Sequence, residues 1–492
     1  MDVVTLLLIV ASLIAYAIFK VRKQLRFWKD LGIPHNEPNF SRNLRPTTHM
    51  AQRLQSYYHK YKGQFPMAGM YLFTKPVGLV IDLDLLKCIY VKDFQYFHDR
   101  GMYYNERDDP LSAHLFNLEG AKWRNLRTKI SPTFTSGKMK MMYPTMIAAG
   151  MQFSDYMNEK VAVESEFELK DLLARFTTDV IGMCAFGIEC NTMKDPNAQF
   201  RLMARKQFES PRNRFKDLVC SAFPKFARLL RLKSTDSDLS DFFLNVVRQT
   251  IDFRLKNDVQ RNDFMDLMLG MMKTENPEQD VLTFKEVAAQ AFVFFIAGFE
   301  TSSTTLTWAL YELSINQDIQ EKARQTVKEV LEKNNNTLSY EAILQMNYLD
   351  QIINETLRKY PPLHVNFRKV VNDYQIPNTT TILPAGTSVM VPTYAIQHDT
   401  DVFPDPERFD PDRFTAENIQ SRHPMAWTPF GEGPRICIGM RFGMMQTRIG
   451  LALLLKSFRF SQGAKSTVPL EFNRKSFILA PEGGLWLKVE KV

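Results

Sequence analysis

A single cysteine on a glycine-rich loop is the residue of this sequence best suited to metal chemistry. Cys437 lies in the stretch 430–439, whose sequence is Phe-Gly-Glu-Gly-Pro-Arg-Ile-Cys-Ile-Gly. Because glycine and proline interrupt helices, we expect a loop here. The apolar spacing of 440–455 predicts a helix directly afterwards, and the positive end of a helix dipole favours a thiolate. Cys437 is therefore a candidate anionic axial ligand to a metal, with a buried free cysteine in a turn as the alternative interpretation.

An acid and an alcohol interrupt one of the most apolar stretches of the chain. The sequence 283–286, Thr-Phe-Lys-Glu, is typical of a capping box, and no proline interrupts the apolar run after it, so we predict one long helix from Phe284 to about Ile315. Apolar residues surround this helix almost completely, which indicates that it is buried. Gly298, Glu300 and Thr301 lie at its centre, and an adjacent acid and hydroxyl suit proton delivery. A plain helix–helix contact, in which Glu300 pairs with a base, is the alternative.

Two further pairs of residues have spacings that place them on one helix face. Trp123 and Arg127 are four residues apart, and Glu355 and Arg358 are three apart on a predicted helix that a proline pair ends. An ordinary amphipathic helix explains the first pair as well as a binding role does. A solvated ion pair of little energetic value explains the second.

Composition and charge limit the classes of partner. The chain has 492 residues and a formal net charge of +8, a moderately basic balance that suits an anionic membrane or an acidic protein. It contains no nucleic-acid-binding motif, so we expect no nucleic acid partner. The five cysteines are scattered and never form a Cys-x-x-Cys pair, which argues against a disulfide framework and a structural zinc site and fits the reducing cytoplasm.

The N-terminal segment is typical of a membrane anchor. Residues 3–19 carry no charge, and a basic cluster comes directly after them. A cleaved signal peptide has its positive charge before the apolar core, whereas here the order is reversed. The positive-inside rule then leaves the rest of the chain in the cytoplasm. We therefore divide the chain into an anchor with its stop-transfer cluster at 1–26, a linker at 27–45 and a catalytic domain at 46–492.

The spacing Phe-x-x-Gly-x-Arg-x-Cys-x-Gly at 430–439 resembles the haem-binding loop of the cytochrome P450 family. The other motifs occur in the order that this family has, from Trp123 to Gly439. The resemblance implies a mainly α-helical fold with a small β region, in one large catalytic domain. It implies haem b, with the Cys437 thiolate as the ligand that favours O–O cleavage.

The same resemblance assigns roles to residues of this sequence. The acid–alcohol pair, Glu300 and Thr301, relays protons to dioxygen. Residues that bind the cofactor are Trp123, Arg127, Gly298, Arg368, Phe430, Arg435 and Gly439. A buried structural network consists of Glu355, Arg358 and Arg413, the last from the segment 411–414. Residues in the family's substrate-contact regions are Phe116, Phe292, Phe295, Ala297 and Val365, with core packing as the alternative for each.

The activity that the resemblance implies is insertion of one oxygen atom from dioxygen into a lipophilic substrate. No flavin or nicotinamide motif is present, so electrons would come from NADPH through a separate reductase, with cytochrome b5 as a further candidate partner. The basic residues expected to dock the reductase are Lys122, Arg124, Lys129 and Arg441. The run 131–138 is most similar to the insect detoxification branch, which is located on the endoplasmic reticulum membrane and oxidises plant toxins, insecticides and hormones. A haem-thiolate isomerase or dehydratase, and a non-catalytic membrane haem sensor, are the alternatives.

Overall fold

The computed structural model describes residues 3–38, 47–209, 216, 219–221, 223–261, 263–272 and 281–492. They form two compact units. The smaller unit contains residues up to Gly101 together with His364–Val402 and His423–Ile436. The larger unit contains Met102–Leu363, Phe403–Arg422 and Cys437–Val492.

Helices make up most of the described chain, which confirms the predicted fold class. In chain order they are α1 (Val3–Asp30), α2 (Met50–Tyr61), α3 (Leu83–Lys87), α4 (Gly120–Ile130), α5 (Ser136–Val163), α6 (Lys170–Ala185), α7 (Gln199–Glu209), α8 (Pro224–Leu229), α9 (Ser237–Asn257), α10 (Phe264–Met272), α11 (Phe284–Ile315), α12 (Gln317–Lys333), α13 (Tyr340–Leu344), α14 (Asn347–Lys359), α15 (Thr393–Gln397), α16 (Ala416–Gln420) and α17 (Met440–Ser457).

The strands form small sheets, and each sheet lies within one unit. The strands are β1 (Met67–Leu72), β2 (Lys75–Val80), β3 (Glu166–Glu168), β4 (Asn366–Lys369), β5 (Tyr374–Gln375), β6 (Ile382–Leu383), β7 (Ser388–Val391), β8 (Phe458–Ser461) and β9 (Trp486–Lys491). The smaller unit contains a sheet of order β1-β2-β7-β4 and the hairpin β5-β6, whereas the larger unit contains a sheet of order β3-β9-β8. In the first sheet β2 and β7 are parallel, and Arg368 of β4 pairs with Val389 of β7.

Helix α1 begins in the predicted anchor and continues beyond it. It is long and apolar enough to cross a membrane, and its apolar side chains are largely exposed. Its last turns belong to the smaller unit, where Trp28 is fully buried and its indole donates to the carbonyl of Met70 at 3.0 Å. A Cβ on Gly69 would lie 2.3 Å from the indole, so glycine allows this contact. Residues 27–30 of the predicted linker thus belong to helix α1, and 39–45 of that linker lie outside the described residues, so the domain limits stay a prediction.

The central helix α11 has the bounds that its sequence predicts. Thr283 Oγ1 accepts from the amide of Glu286 at 3.3 Å, and the Glu286 carboxylate accepts from the amide of Thr283 at 2.8 Å, so the capping box is complete. Helix α6 packs against α11 in the larger unit, and Thr177 donates from its hydroxyl to the carbonyl of Phe299 at 3.0 Å. Burial on nearly all sides explains why the helix is apolar around its whole circumference.

Replacement of Trp28 by alanine should destabilise the smaller unit. Loss of a fully buried indole costs about 3–5 kcal/mol, so the midpoint of heat inactivation should fall clearly. Phe19→Ala is the matched control, since Phe19 is an aromatic residue of the same helix that is 65% exposed. Equal midpoints for the two variants would show that the indole does not stabilise the fold.

Candidate active site

Cys437 differs from the other cysteines in its surroundings. It is exposed, whereas Cys88, Cys184, Cys190 and Cys220 are buried. Burial raises the pKa of the thiols of Cys184 and Cys190, so both are protonated and unreactive at neutral pH. Cys437 precedes Gly439, the N-cap of α17, and so lies beside the positive end of a helix of 18 residues. Cys437 is therefore the one exposed cysteine of the described residues, and its environment favours a thiolate.

Helix α4 places a guanidinium near this sulfur. Burial lowers the pKa of Arg127, and the Cys437 sulfur opposes that shift, so the two groups interact electrostatically within the larger unit. The Arg127 guanidinium makes no hydrogen bond or ion pair with any residue in the described part of the chain. Trp123, one turn earlier, is buried. Arg127 is thus a partly buried cation that suits an anionic ligand.

The middle of α11 has a small face that is not covered. Ala297 is exposed and Thr301 is partly exposed, whereas Phe299 and Ser302 beside them are buried. The Thr301 hydroxyl donates to the carbonyl of Ala297 at 2.7 Å, one turn back. Because the hydroxyl is the donor in this hydrogen bond, its oxygen keeps its acceptor capacity. Thr301 can therefore accept a hydrogen bond from a ligand on this face of the helix.

Glu300 has a basic partner that sequence reasoning did not identify. The carboxylate is buried, and Lys170 Nζ of α6 lies 3.8 Å from Glu300 Oε1. The start of α6 is fixed by Glu168, whose two carboxylate oxygens accept from the amides of Lys170 and Asp171, each at 2.8 Å. No motif marks Lys170, since it is far from Glu300 in the sequence. The structure thus contains the ion pair that the alternative interpretation, a plain helix–helix contact, expects for Glu300. The proton relay through Glu300 stays a prediction.

Gly298 contacts a neighbouring helix. A Cβ at this position would lie 2.8 Å from Ile181 Cδ1 of α6, so the missing side chain permits the close approach of the two helices. Helix packing therefore accounts for the glycine, and its predicted role at the cofactor stays a prediction.

The structure brings Glu355, Arg358 and Arg413 together. Arg358 donates from Nε to Glu355 Oε2 at 2.7 Å and from Nη2 to Oε1 at 2.9 Å, and Arg413 Nε lies 3.6 Å from Oε1. Both members of the first pair are fully buried. Burial raises the pKa of the Glu355 carboxyl, and the two arginines oppose that effect. The amide of Asp410 also donates to Glu355, and Arg358 donates to the carbonyl of Pro406, so the network fixes the segment after Phe403.

Two buried arginines of the smaller unit differ in their partners. Arg435 donates from Nε to the carbonyl of His98 at 2.7 Å and lies 3.9 Å from Asp99. Arg368 donates to the carbonyl of Phe367 at 2.8 Å, and its Nε has no hydrogen-bond partner among the described residues. Burial lowers the pKa of Arg368, and no carboxylate contributes to its surroundings. A buried guanidinium without a counter-charge is costly, which indicates a site for an anion.

The residues predicted to contact substrate fall into two groups. Phe295 is fully buried among other phenylalanines, and Val365 lies in the core of the smaller unit. Phe292 is also buried, with its ring 5.1 Å from that of Phe243. Phe116 is partly exposed and Ala297 is exposed. Core packing thus accounts for Phe295 and Val365, and Phe116 and Ala297 are better placed to meet a ligand.

The predicted cofactor fits the residues that are present. Haem b carries two carboxylates and an iron that accepts a thiolate. The described residues include an exposed cysteine, Cys437, and the buried or partly buried Arg368 and Arg127, which have no carboxylate partner among them. Arg127 and Arg368 therefore each lack a carboxylate partner among the described residues, and each suits a carboxylate of an anionic ligand.

Comparisons with known proteins agree with this geometry. The family model described as Cytochrome P450 matches residues 38–487. Cytochrome P450 6A1 of Musca domestica is 44% identical over 99% of this chain and 98% of its own length. Probable cytochrome P450 6a21 of Drosophila melanogaster is 45% identical over 99% of each chain, and Probable cytochrome P450 6a14 of the same species is 46% identical over 96% of each.

Glu355→Gln should destabilise the larger unit while it preserves side-chain volume. It removes the carboxylate charge that pairs with the buried Arg358 guanidinium, and breaking such a pair costs about 3–5 kcal/mol. Glu332→Gln is the control, since Glu332 is 58% exposed and pairs weakly with Lys328 at 4.0 Å. Denaturant unfolding should separate the two variants, and indistinguishable curves would remove the structural role of the network.

Proposed function

The chain belongs to the cytochrome P450 family and is a haem-thiolate monooxygenase, and from this premise we propose that it oxidises lipophilic xenobiotics or hormones with electrons from NADPH and a separate reductase. The observation that carries the proposal is the exposed Cys437 beside the N-terminus of α17, with Arg127 nearby. When bound, the haem supplies the oxygen chemistry, and the thiolate ligand donates electron density that favours O–O cleavage.

The remaining cofactor contacts are assigned to buried and partly buried residues. Residues proposed to bind the haem carboxylates are Trp123, Arg127, Arg368 and Arg435. What supports this assignment is their burial and, for Arg127 and Arg368, the lack of a carboxylate partner among the described residues. Residues whose shape admits the ring and the cysteine loop are Phe430, Gly298 and Gly439.

Proton delivery is the task proposed for Thr301 and Glu300. Thr301 lies on the partly exposed face of α11 and can pass a proton through its hydroxyl. Glu300 is buried next to it, and Lys170 keeps a positive charge near its carboxylate.

The electron donor is proposed to dock on a basic surface of the larger unit. Lys122 and Arg124 lie on the exposed side of α4, opposite the buried Trp123, and Arg441 is exposed at the start of α17. Lys122 forms an ion pair with Glu106 at 2.6 Å, so a partner must compete with that contact. Lys129 completes the surface. Acidic reductase and cytochrome b5 surfaces are the proposed partners.

The chain is proposed to lie on the endoplasmic reticulum membrane with its catalytic residues on the cytoplasmic face. Helix α1 is long and apolar enough to span a bilayer, and basic residues succeed its apolar core from Lys20 onwards. Contact with membrane lipid also suits a lipophilic substrate, which partitions into the bilayer. The proposed domain limits are an anchor through residue 26 and a catalytic body from residue 46.

A labelled-oxygen experiment tests the proposed reaction. Full-length protein with NADPH, a reductase and a panel of lipophilic compounds should form products that carry one atom of isotopically labelled dioxygen. The control omits the reductase and should give no product. Product without label would favour an isomerase or dehydratase, and haem binding without product from any compound would favour a sensor.

Thr301→Ala should uncouple electron transfer from product formation. Loss of a positioned proton donor costs about 10²-fold or more in the assisted step, so hydrogen peroxide should rise and product should fall at similar NADPH consumption. Thr305→Ala is the matched control, because Thr305 likewise donates to a carbonyl one turn back, that of Thr301, at 2.8 Å. Equal coupling in the two variants would exclude Thr301 from proton delivery.

A further inference from the structure

Tyr90 is a buried phenol of the smaller unit that no motif includes. It lies on the π-helical turn Cys88–Lys92 and is fully buried. Its hydroxyl has no hydrogen-bond partner among the described residues. Other buried tyrosines of this unit are satisfied: Tyr58 donates to Asp399 at 2.8 Å, and Tyr374 donates to Asp93 at 2.7 Å. Tyr90 therefore differs from these tyrosines in having no such partner. A buried hydroxyl without a partner is destabilising, so the position needs an explanation.

The ring of Tyr90 contacts a buried guanidinium. The Arg368 guanidinium carbon lies 4.7 Å from the centre of the Tyr90 ring, at a distance typical of a cation–π contact. The Nε of Arg368 also has no hydrogen-bond partner among the described residues. The turn Cys88–Lys92 and strand β4 thus bring together two side chains that each have an unsatisfied donor, the Tyr90 hydroxyl and the Arg368 Nε. A single anion with several lone pairs can satisfy both.

Tyr90 is also joined to the loop that leads to the cysteine. Gly433 has φ +70°, and a Cβ there would lie 2.0 Å from the Tyr90 carbonyl oxygen, so the loop rests directly on the Tyr90 backbone. Arg435, two residues further along, is buried. The backbone of Tyr90 therefore fixes the loop while its side chain contacts Arg368.

The protonation state of the Tyr90 hydroxyl suits a hydrogen-bond donor. Burial raises the pKa of Tyr90 to about 12, although Arg368 and Arg100 favour the phenolate. Glu432 adds to the effect of burial. At neutral pH the phenol is protonated and can donate to a carboxylate.

We propose that Tyr90 is a haem-binding residue, whose hydroxyl donates a hydrogen bond to a haem carboxylate that Arg368 also binds. This inference rests on the proposed function, since it requires haem as the cofactor. It assigns a ligand to a residue that the sequence motifs leave out. A hydrogen bond to a charged acceptor is stronger than one between neutral groups, so loss of the hydroxyl should weaken cofactor retention.

Tyr90→Phe tests the proposal, because phenylalanine preserves the ring and its contact with Arg368. In the holoenzyme, haem transfer to excess apomyoglobin should become about tenfold faster. The resonance Raman band of the haem carboxylate bending mode should also shift, since it reports hydrogen bonding to those groups. The thiolate-type spectrum of the reduced carbonyl complex should persist, because Cys437 is unchanged.

Tyr374→Phe is the matched control. It removes a buried hydroxyl of the same unit that donates to Asp93, so it should lower thermal stability without a change in the Raman band. A Tyr90→Phe protein with wild-type haem release and an unshifted band would overturn the proposal, even if the carbonyl spectrum is of the thiolate type. Absence of that spectrum in the wild-type protein would instead overturn the proposed function itself.

Discussion

Buried positive charge without a matching carboxylate is the constraint on which the candidate site depends. Arg368 is fully buried in the smaller unit, Arg127 is partly buried in the larger unit, and neither has an acidic partner among the described residues. Desolvation of a cation is costly unless a counter-charge compensates for it. We propose that an anionic cofactor supplies that counter-charge, and that Cys437, whose sulfur interacts with Arg127, would be the ligand to its iron.

The contrast with Arg358 shows that the protein can satisfy a buried arginine when structure alone requires it. Arg358 is also fully buried, but Glu355 binds it through two hydrogen bonds, and its Nη2 also donates to the carbonyl of Pro406. A carboxylate of the protein itself thus compensates the charge of Arg358. The absence of a carboxylate partner among the described residues thus distinguishes Arg127 and Arg368 from Arg358, and spacing in the sequence does not reveal that difference.

Local sequence patterns predict many of the helices and their ends. Contacts between segments that are distant in the sequence cannot be derived from such patterns. The bounds of α11 are predictable from a capping box and an uninterrupted apolar run, both of which are local. By contrast, the Lys170 partner of Glu300 comes from another helix, and the extension of α1 to Asp30 depends on the burial of Trp28 against Met70. Tyr90 is part of no motif, because its significance arises only when a strand brings Arg368 onto its ring. Propensity and spacing carry no information about such tertiary contacts.

The absorption spectrum of the reduced carbonyl complex tests the central claim, that Cys437 is the haem ligand. The wild-type protein and Cys184→Ala, which removes a buried thiol, should both show the long-wavelength Soret band of a thiolate-ligated carbonyl complex. Cys437→Ala should lose that band, because the thiolate that donates electron density to the iron is absent. A Cys437→Ala protein that retains the band would contradict the account.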